Sequence, residues 1–154
     1  MTGLTIRPAR PQDADALRDC AAAAYARHAA AMGQKPAPML ADYPALIAAG
    51  QVWLAVDAAD ALLGFIVFHA QGPDMLLENV AVWPAQAGRG IGRALIDHCE
   101  TVARDAGLAG VVLYTNIKMA DNLRLYPRLG YAETARRVEH GFHRVWFRKP
   151  LPPR

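Results

Sequence analysis

Three glycines, Gly88, Gly90 and Gly92, stand close together between an apolar segment and a segment with helical spacing. Glycine at such a junction lets several backbone N–H groups converge, and the N-terminus of the following helix adds partial positive charge. Arg89 and Arg93 flank the glycines and can add charge-assisted hydrogen bonds to an anion. The loop is therefore predicted to bind a phosphate or pyrophosphate, although a loop that merely turns tightly would use the same residues.

Two other kinds of nucleotide-binding loop are excluded by spacing. A Walker loop requires a lysine followed by a hydroxyl residue, and neither follows Gly92. A dinucleotide fingerprint requires a third glycine where Arg93 stands, and it opens an early strand–helix–strand unit. Here three strand-like segments precede the loop, so neither interpretation holds.

Length and charge limit the classes of function. The 154 residues fit one domain, predicted over 1–154, and 53% hydrophobic with 20% charged residues excludes a disordered chain. The net charge of +3 comes from 14 arginines and only three lysines against 14 acidic residues. This excess is too weak and too evenly spread to indicate a nucleic-acid partner by itself, and without aromatic platforms in a basic groove no nucleic-acid partner is expected. It suits a small anionic ligand bound at one place.

The two cysteines and the apolar runs exclude further classes. Cys20 and Cys99 lie in predicted helices without metal-ligand spacing, so we expect reduced thiols and no metal. The longest strongly apolar run, Ala61–Phe68, is far shorter than the ~20 residues that cross a bilayer. The N-terminal residues lack the apolar core of a signal peptide. We therefore expect a cytoplasmic protein with no membrane partner; a homodimer is left open.

Apolar periodicity and turn residues predict the elements that position the loop. The predicted helices run from near Pro11 to Gly33, from about Pro44 to Ala49, from the glycine loop to near Gly107, and over about Ala120–Leu129. The predicted strands are Val52–Asp57, Leu62–His69, Met75–Val82, Gly110–Thr115, Ala132–Val138 and His143–Lys149. An extended loop is expected over Lys35–Pro38, because each proline disfavours helix in the residue before it.

The strand before the glycine loop, the helix after it and the next strand form a βαβ unit, so these two strands should be parallel. The fold class is therefore α/β (α+β): a mixed, mostly antiparallel sheet of about seven strands, with about four helices and a central parallel βαβ unit.

Four stretches together carry a resemblance to a known family. They are Ile6-Arg-Pro-Ala9, Val80-Ala-Val-Trp-Pro84, Gly88-Arg-Gly-Ile-Gly-Arg-Ala-Leu95 and Asn122-Leu-Arg-Leu-Tyr-Pro-Arg-Leu-Gly-Tyr131. In this order they resemble the GNAT superfamily of N-acetyltransferases over nearly the whole chain. The family's loop begins with Arg or Gln, where this chain has Ala87, with Gln86 one residue early.

The resemblance implies acetyl-coenzyme A as the acetyl donor and a GNAT-like sheet. Backbone groups of the strand before the loop would pair with the pantetheine arm, and loop N–H groups would hold the pyrophosphate. Two asparagines would contact the arm from the other side. The implied cofactor-binding residues are Val80, Ala81, Val82, Gly88, Arg89, Gly90, Ile91, Gly92, Arg93, Asn116 and Asn122.

Two residues are candidates for proton transfer. Tyr126 matches the family's tyrosine that protonates the departing thiolate, and Pro127 beside it is a departure that would bend the helix. Glu78, an acidic residue in an otherwise apolar strand, is the first candidate base for the acceptor amine, and a salt-bridged surface residue is the alternative. His28 and His69 are the next candidates.

The resemblance also implies where an acceptor would bind. Acceptor specificity is expected to come from Tyr25–Asp42 and from the closing hairpin. Aromatic walls and one carboxylate suit an ammonium substrate; these residues are Tyr25, His28, Met39, Asp42 and Tyr43. The resulting hypothesis is direct transfer of acetyl to a small-molecule amine in a ternary complex. A protein N-terminus or lysine as acceptor, and a non-catalytic acyl-coenzyme A sensor, are the alternatives.

Overall fold

The computed structural model describes residues 3–153. The α-helices in this part of the chain are α1 Ala14–Met32, α2 Ala37–Leu40, α3 Tyr43–Ala48, α4 Ile91–Asp105 and α5 Ala120–Arg128. The β-strands are β1 Thr5–Pro8, β2 Val52–Val56, β3 Leu62–Gln71, β4 Asp74–Val82, β5 Gly110–Asn116, β6 Ala132–Glu139 and β7 Phe142–Pro150. Residues 1, 2 and 154 of the predicted domain lie outside the described residues.

The seven strands form one sheet in the order β1-β2-β3-β4-β5-β7-β6. β4 pairs with β5 in parallel, with Asp74 opposite Gly110 and Leu77 opposite Leu113. The pairs β1–β2, β2–β3, β5–β7 and β6–β7 are antiparallel. The predicted mixed, mostly antiparallel sheet with one parallel βαβ unit is confirmed.

Glycine and proline explain where the first helices begin and end. Gly33 ends α1 in the left-handed region at φ +71°, as its type predicts. The expected extended loop over Lys35–Pro38 is wrong in its second half, because α2 begins at Ala37. Pro38 lies in the first turn of α2, where no intrahelical N–H bond is needed, so the helix accepts it. This short helix brings the number of helices among residues 3–153 to five, where about four were expected.

The chain divides into two compact units. The first comprises the residues up to Phe68 together with Asn79–His98. Its core is built by one face of α1 and α3 against β2, β3 and the end of β4. The buried members are Ala14, Leu17, Cys20, Ala21, Tyr43, Ile47, Val52, Leu54, Val56, Phe65, Val67 and Ala81.

The second unit comprises His69–Glu78 and the chain from Cys99 onward. Its buried side chains include Val111, Leu113, Tyr126, Leu129, Tyr131, Val145 and Phe147. A buried carboxylate, that of Glu100, accepts hydrogen bonds from the hydroxyl of Tyr131 and the Nζ of Lys149, each at 2.9 Å. These partners compensate the cost of burying the charge. That the chain forms a single acetyltransferase domain stays a prediction.

Candidate active site

The glycine loop follows β4 and adopts backbone conformations that only glycine takes readily. Gly88 has φ +80° and Gly90 has φ +77°, both in the left-handed region. A Cβ added at either position would meet no atom within 4 Å. The glycines are therefore needed here for their backbone angles rather than for space.

The loop leads directly into the N-terminus of α4. The backbone N–H of Ala94 donates to the carbonyl of Gly90 at 3.0 Å, which is the first bond of the helix. The N–H groups of Ile91, Gly92 and Arg93 consequently have no acceptor within the helix. Three such donors at the positive end of a helix 15 residues long provide the N–H groups and the partial charge that an anion would need.

Two arginines of the loop are exposed and only weakly held. The guanidinium of Arg89 donates to the side-chain carbonyl of Gln86, and Arg93 pairs with Asp97 at 3.4 Å on the surface of α4. Surface pairs of this kind contribute little free energy, so both guanidinium groups can turn toward a phosphate at small cost. Gln86, which lies one residue early in the sequence motif, is thus the hydrogen-bond partner of Arg89.

The strand predicted to bind the pantetheine arm has a side-chain partner from α1. The hydroxyl of Tyr25 donates to the carbonyl of Val80 at 2.9 Å, and the Tyr25 ring lies 6.0 Å from that of His28. Tyr25 was predicted to line the acceptor site; the structure places its hydroxyl against the strand that is predicted to bind the pantetheine arm, and its contact with an acceptor stays a prediction. A carbonyl oxygen has two lone pairs, so Val80 keeps one for a second donor.

The other predicted acceptor residues have local structural roles. Tyr43 is fully buried, its ring meets that of Phe65 edge-on at 5.5 Å, and its hydroxyl donates to the carbonyl of Pro38 at 2.5 Å. Burial raises the pKa of the Tyr43 phenol. Asp42 caps α3 by accepting from the N–H of Ala45 at 3.1 Å, and Met39 is half-buried in α2.

In the second unit, Tyr126 is buried on α5 among other aromatic rings. Its ring lies 5.8 Å from that of Tyr131 and 5.9 Å from that of Phe147. Burial raises the pKa of the Tyr126 phenol to about 12, so it holds its proton at neutral pH. Pro127 does not end the helix, which continues to Arg128. The phenol is thus kept in the form that can donate a proton.

The two asparagines predicted to contact the cofactor both stabilise the chain around the end of β5. The side-chain oxygen of Asn116 accepts from the N–H of Lys118 at 2.9 Å, which forms an Asx turn. The amide of Asn122 donates to the hydroxyl of Thr115 at 3.1 Å. Each side chain therefore has a structural role at this position, and their contact with a cofactor stays a prediction.

Glu78 lies in a cluster of aromatic and charged side chains that the sequence did not reveal. Its half-buried carboxylate accepts from the hydroxyl of Tyr114 at 3.1 Å. The guanidinium of Arg144 lies over the Tyr114 ring, 4.1 Å from its centroid. Burial first, and the charge of Glu78 second, raise the pKa of Tyr114 to about 12. Only the pairing of β5 with β4 on one side and with β7 on the other brings these residues together, and the pairing with β7 has no local sequence signal.

Two further features are absent among residues 3–153: a metal-binding group of side chains and a helix that could cross a membrane. No group of three or more His, Cys, Asp or Glu side chains there is arranged to hold a metal ion. Nor does that part of the chain contain a helix with the length and apolar character needed to cross a bilayer. Of the other candidate bases, His28 lies beside Tyr25, and the half-buried His69 has an enclosed Nδ1 with no hydrogen-bond partner.

Comparison with known proteins gives matches to one family. Residues 48–133 match a family model described as an acetyltransferase (GNAT) domain. Streptothricin acetyltransferase of Streptomyces lavendulae is 31% identical over 84 residues, which are 53% of this chain and 44% of that protein. IAA acetyltransferase of Azospirillum brasilense is 33% identical over 70 residues, 46% of either chain. The chain thus spans less than half the length of these curated relatives.

Solved structures share the fold of this chain. The PaiA N-acetyltransferase of Thermoplasma acidophilum, solved in complex with coenzyme A, matches with a TM-score of 0.79 at 17% identity. The match covers 96% of this chain and 99% of that one. At this level of identity the likeness shows the fold alone.

Proposed function

The chain belongs to the GNAT acetyltransferase family, and we propose on that basis that it transfers the acetyl group of acetyl-coenzyme A to a small-molecule amine. The observation that carries this proposal is the N-terminus of α4, which follows two glycines with left-handed φ and offers N–H groups suited to an anion. The curated relatives that it resembles are named as acetyltransferases, which supports the same reaction class.

The residues present fit a coenzyme A pyrophosphate and pantetheine arm. Three helix N–H groups without helical acceptors suit the pyrophosphate, and Arg89 and Arg93 add mobile positive charge. The second lone pair of the Val80 carbonyl suits an amide N–H of the pantetheine arm. Acetyl-coenzyme A supplies the activated acetyl thioester, and the chain supplies binding and proton transfer.

In the proposed mechanism, Glu78 takes a proton from the acceptor ammonium, which frees the nitrogen lone pair. The nitrogen forms a bond to the acetyl carbon, and the carbon–sulfur bond breaks. Tyr126 gives its phenolic proton to the departing sulfur, and the second proton of the amine passes to the Tyr126 phenolate as the amide forms. Glu78 then releases the first proton to solvent, so both groups return to their starting state. Transfer is direct because both cysteines are buried, which raises the pKa of Cys20 to about 12 and also that of Cys99.

Two measurements on the purified chain test this proposal. Titration calorimetry with coenzyme A should show binding, and thiol release from acetyl-coenzyme A should require an added amine. Arg89→Ala should weaken that binding, while Arg18→Ala serves as its matched control, because Arg18 is also exposed and pairs with Asp15 on α1 at 2.9 Å. No binding at millimolar coenzyme A would overturn the proposal. Binding without release, or release with peptides only, would favour the sensor or the protein-acceptor alternative instead.

A further inference from the structure

Two opposite charges lie against a single tyrosine side chain in the second unit. The carboxylate of Glu78 is at the hydroxyl of Tyr114, 3.1 Å away, and the guanidinium of Arg144 is over the face of the same ring. A second ring, that of Trp146, lies 5.0 Å from Tyr114. The cluster therefore offers one anionic and one cationic group on a shared aromatic support.

Arg144 is nearly buried but poorly satisfied. Only 11% of its side chain is exposed, and its ion-pair partner Glu139 lies 3.8 Å away, beyond hydrogen-bond length. Glu139 is itself held by the indole N–H of Trp146 at 2.8 Å. Among residues 3–153 the guanidinium makes that ion pair and cation–π contacts but no hydrogen bond. Five donors with so few acceptors favour an additional anionic partner.

The Glu78 carboxylate lacks a cationic partner among residues 3–153. It is half-buried and accepts one hydrogen bond, from a neutral phenol, and no cation within residues 3–153 forms an ion pair with it. A half-buried carboxylate is stabilised by a nearby positive charge. An ammonium group on a ligand would supply that charge.

We propose that the acceptor is an amine that also carries a carboxylate, with its ammonium at Glu78 and its carboxylate at Arg144. This inference rests on the proposed function and specifies the substrate class. Arg144 is then a specificity-determining residue, because guanidinium binds a carboxylate through two parallel hydrogen bonds. Tyr114 is a positioning residue that holds Glu78 and supports Arg144. Amines without a carboxylate would leave the Arg144 donors unused.

The test compares matched acceptors in the thiol-release assay. The panel consists of α-, β- and γ-amino acids, the corresponding amino-acid amides, and primary amines of equal length without a carbonyl group. Wild-type enzyme should show a kcat/KM for at least one amino acid about 10- to 100-fold above that for its amide, as expected for a charge-assisted hydrogen bond. Arg144→Met should raise the KM for that amino acid by a similar factor and raise the KM for the plain amine by a much smaller factor, so that the preference for the amino acid is lost.

Arg137→Met is the matched control. Arg137 is the exposed cross-strand partner of Arg144 on β6, and it lies over the Trp146 ring at 5.5 Å. Removing the Arg137 guanidinium should change neither the KM for the amino acid nor the KM for the plain amine. Where Arg144→Met does not fold, two other measurements test the inference. They are the wild-type preference for the amino acid over its amide and the same preference in Arg144→Lys, which keeps a point charge but loses the paired hydrogen bonds.

The outcomes separate two failures. Release with amides and plain amines that equals release with amino acids overturns this inference and leaves the proposed function intact. An equal loss in Arg137→Met and Arg144→Met also overturns it. No release with any acceptor overturns the proposed function and this inference with it.

Discussion

The backbone angle of Gly90 provides the most direct test of the phosphate loop. Its φ of +77° lies in the left-handed region, and an added Cβ would meet no atom within 4 Å. Gly90→Ala thus introduces backbone strain of about 1–2 kcal/mol without a steric clash. We expect the free loop of the variant to relax to negative φ, so the binding conformation must be recovered at that cost. Coenzyme A should then bind about 5- to 30-fold more weakly.

Two other glycines separate strain from contact. Gly107, beyond the C-terminal end of α4, has φ +76° and equally open space, so Gly107→Ala carries the same strain away from the loop. It should lower the free energy of unfolding but leave coenzyme A affinity unchanged. Gly92 has no left-handed φ, and its added Cβ would lie 3.6 Å from Val82 Cγ2, an ordinary contact. The fold should therefore tolerate Gly92→Ala, and its loss of affinity would report how closely the ligand approaches the backbone.

Titration calorimetry gives the affinity of each variant, and urea unfolding gives its stability. Wild-type affinity in Gly90→Ala would refute the assignment of this loop to the cofactor. Equal losses of affinity in Gly90→Ala and Gly107→Ala would refute it as well, because strain anywhere on α4 would then suffice.

Three further predictions concern buried side chains. Tyr126→Phe should lower kcat about a hundredfold, because the proton donor is lost. It should change the free energy of unfolding by less than about 1 kcal/mol, since no hydrogen bond within residues 3–153 reaches the Tyr126 hydroxyl. Steady-state kinetics and urea unfolding measure the two effects. Burial lowers the pKa of His98, whose ring lies 4.5 Å from that of Trp53, so its contribution to stability is complete above about pH 6.5, the unfolded pKa, and declines below it. Urea unfolding across this range should show a smaller decline for His98→Gln, and an identical decline would contradict the assignment. Cys20 and Cys99 should resist alkylation at neutral pH until the protein unfolds, and mass spectrometry would reveal any modification of the native chain.

The sequence predicts elements well where the signal is local. Gly33 ends α1 because few other residues adopt its left-handed φ, and Gly90 precedes α4 for the same reason. The predicted loop over Lys35–Pro38 was wrong at Ala37 and Pro38, because proline disfavours helix in the residue before it but is accepted in the first turn of a helix. The insertion of β7 between β5 and β6 depends on long-range pairing, so the hairpin pattern alone does not predict it.

The residues of the candidate site also differ in whether a local sequence signal or long-range strand pairing brings them together. The loop could be predicted because glycines and a helix start lie together in the chain. The predicted acceptor residues were less certain, since aromatic type alone does not distinguish a core residue from a binding residue. Tyr43 illustrates this, being fully buried against Phe65. Tyr114 could not be predicted, because its relation to Glu78 exists only across the paired strands β4 and β5.

This division has a physical cause that bears on substrate choice. The proposed cofactor contacts use backbone groups, which every residue has, so Ala87 can replace the motif's usual polar residue without removing them. The proposed acceptor contacts use the side chains of Glu78 and Arg144, whose identities are free to differ between proteins with the same backbone. A shared fold therefore predicts the acetyl donor far better than the acceptor. The charges that lie against Tyr114 are consequently the better guide to the acceptor that we propose for this chain.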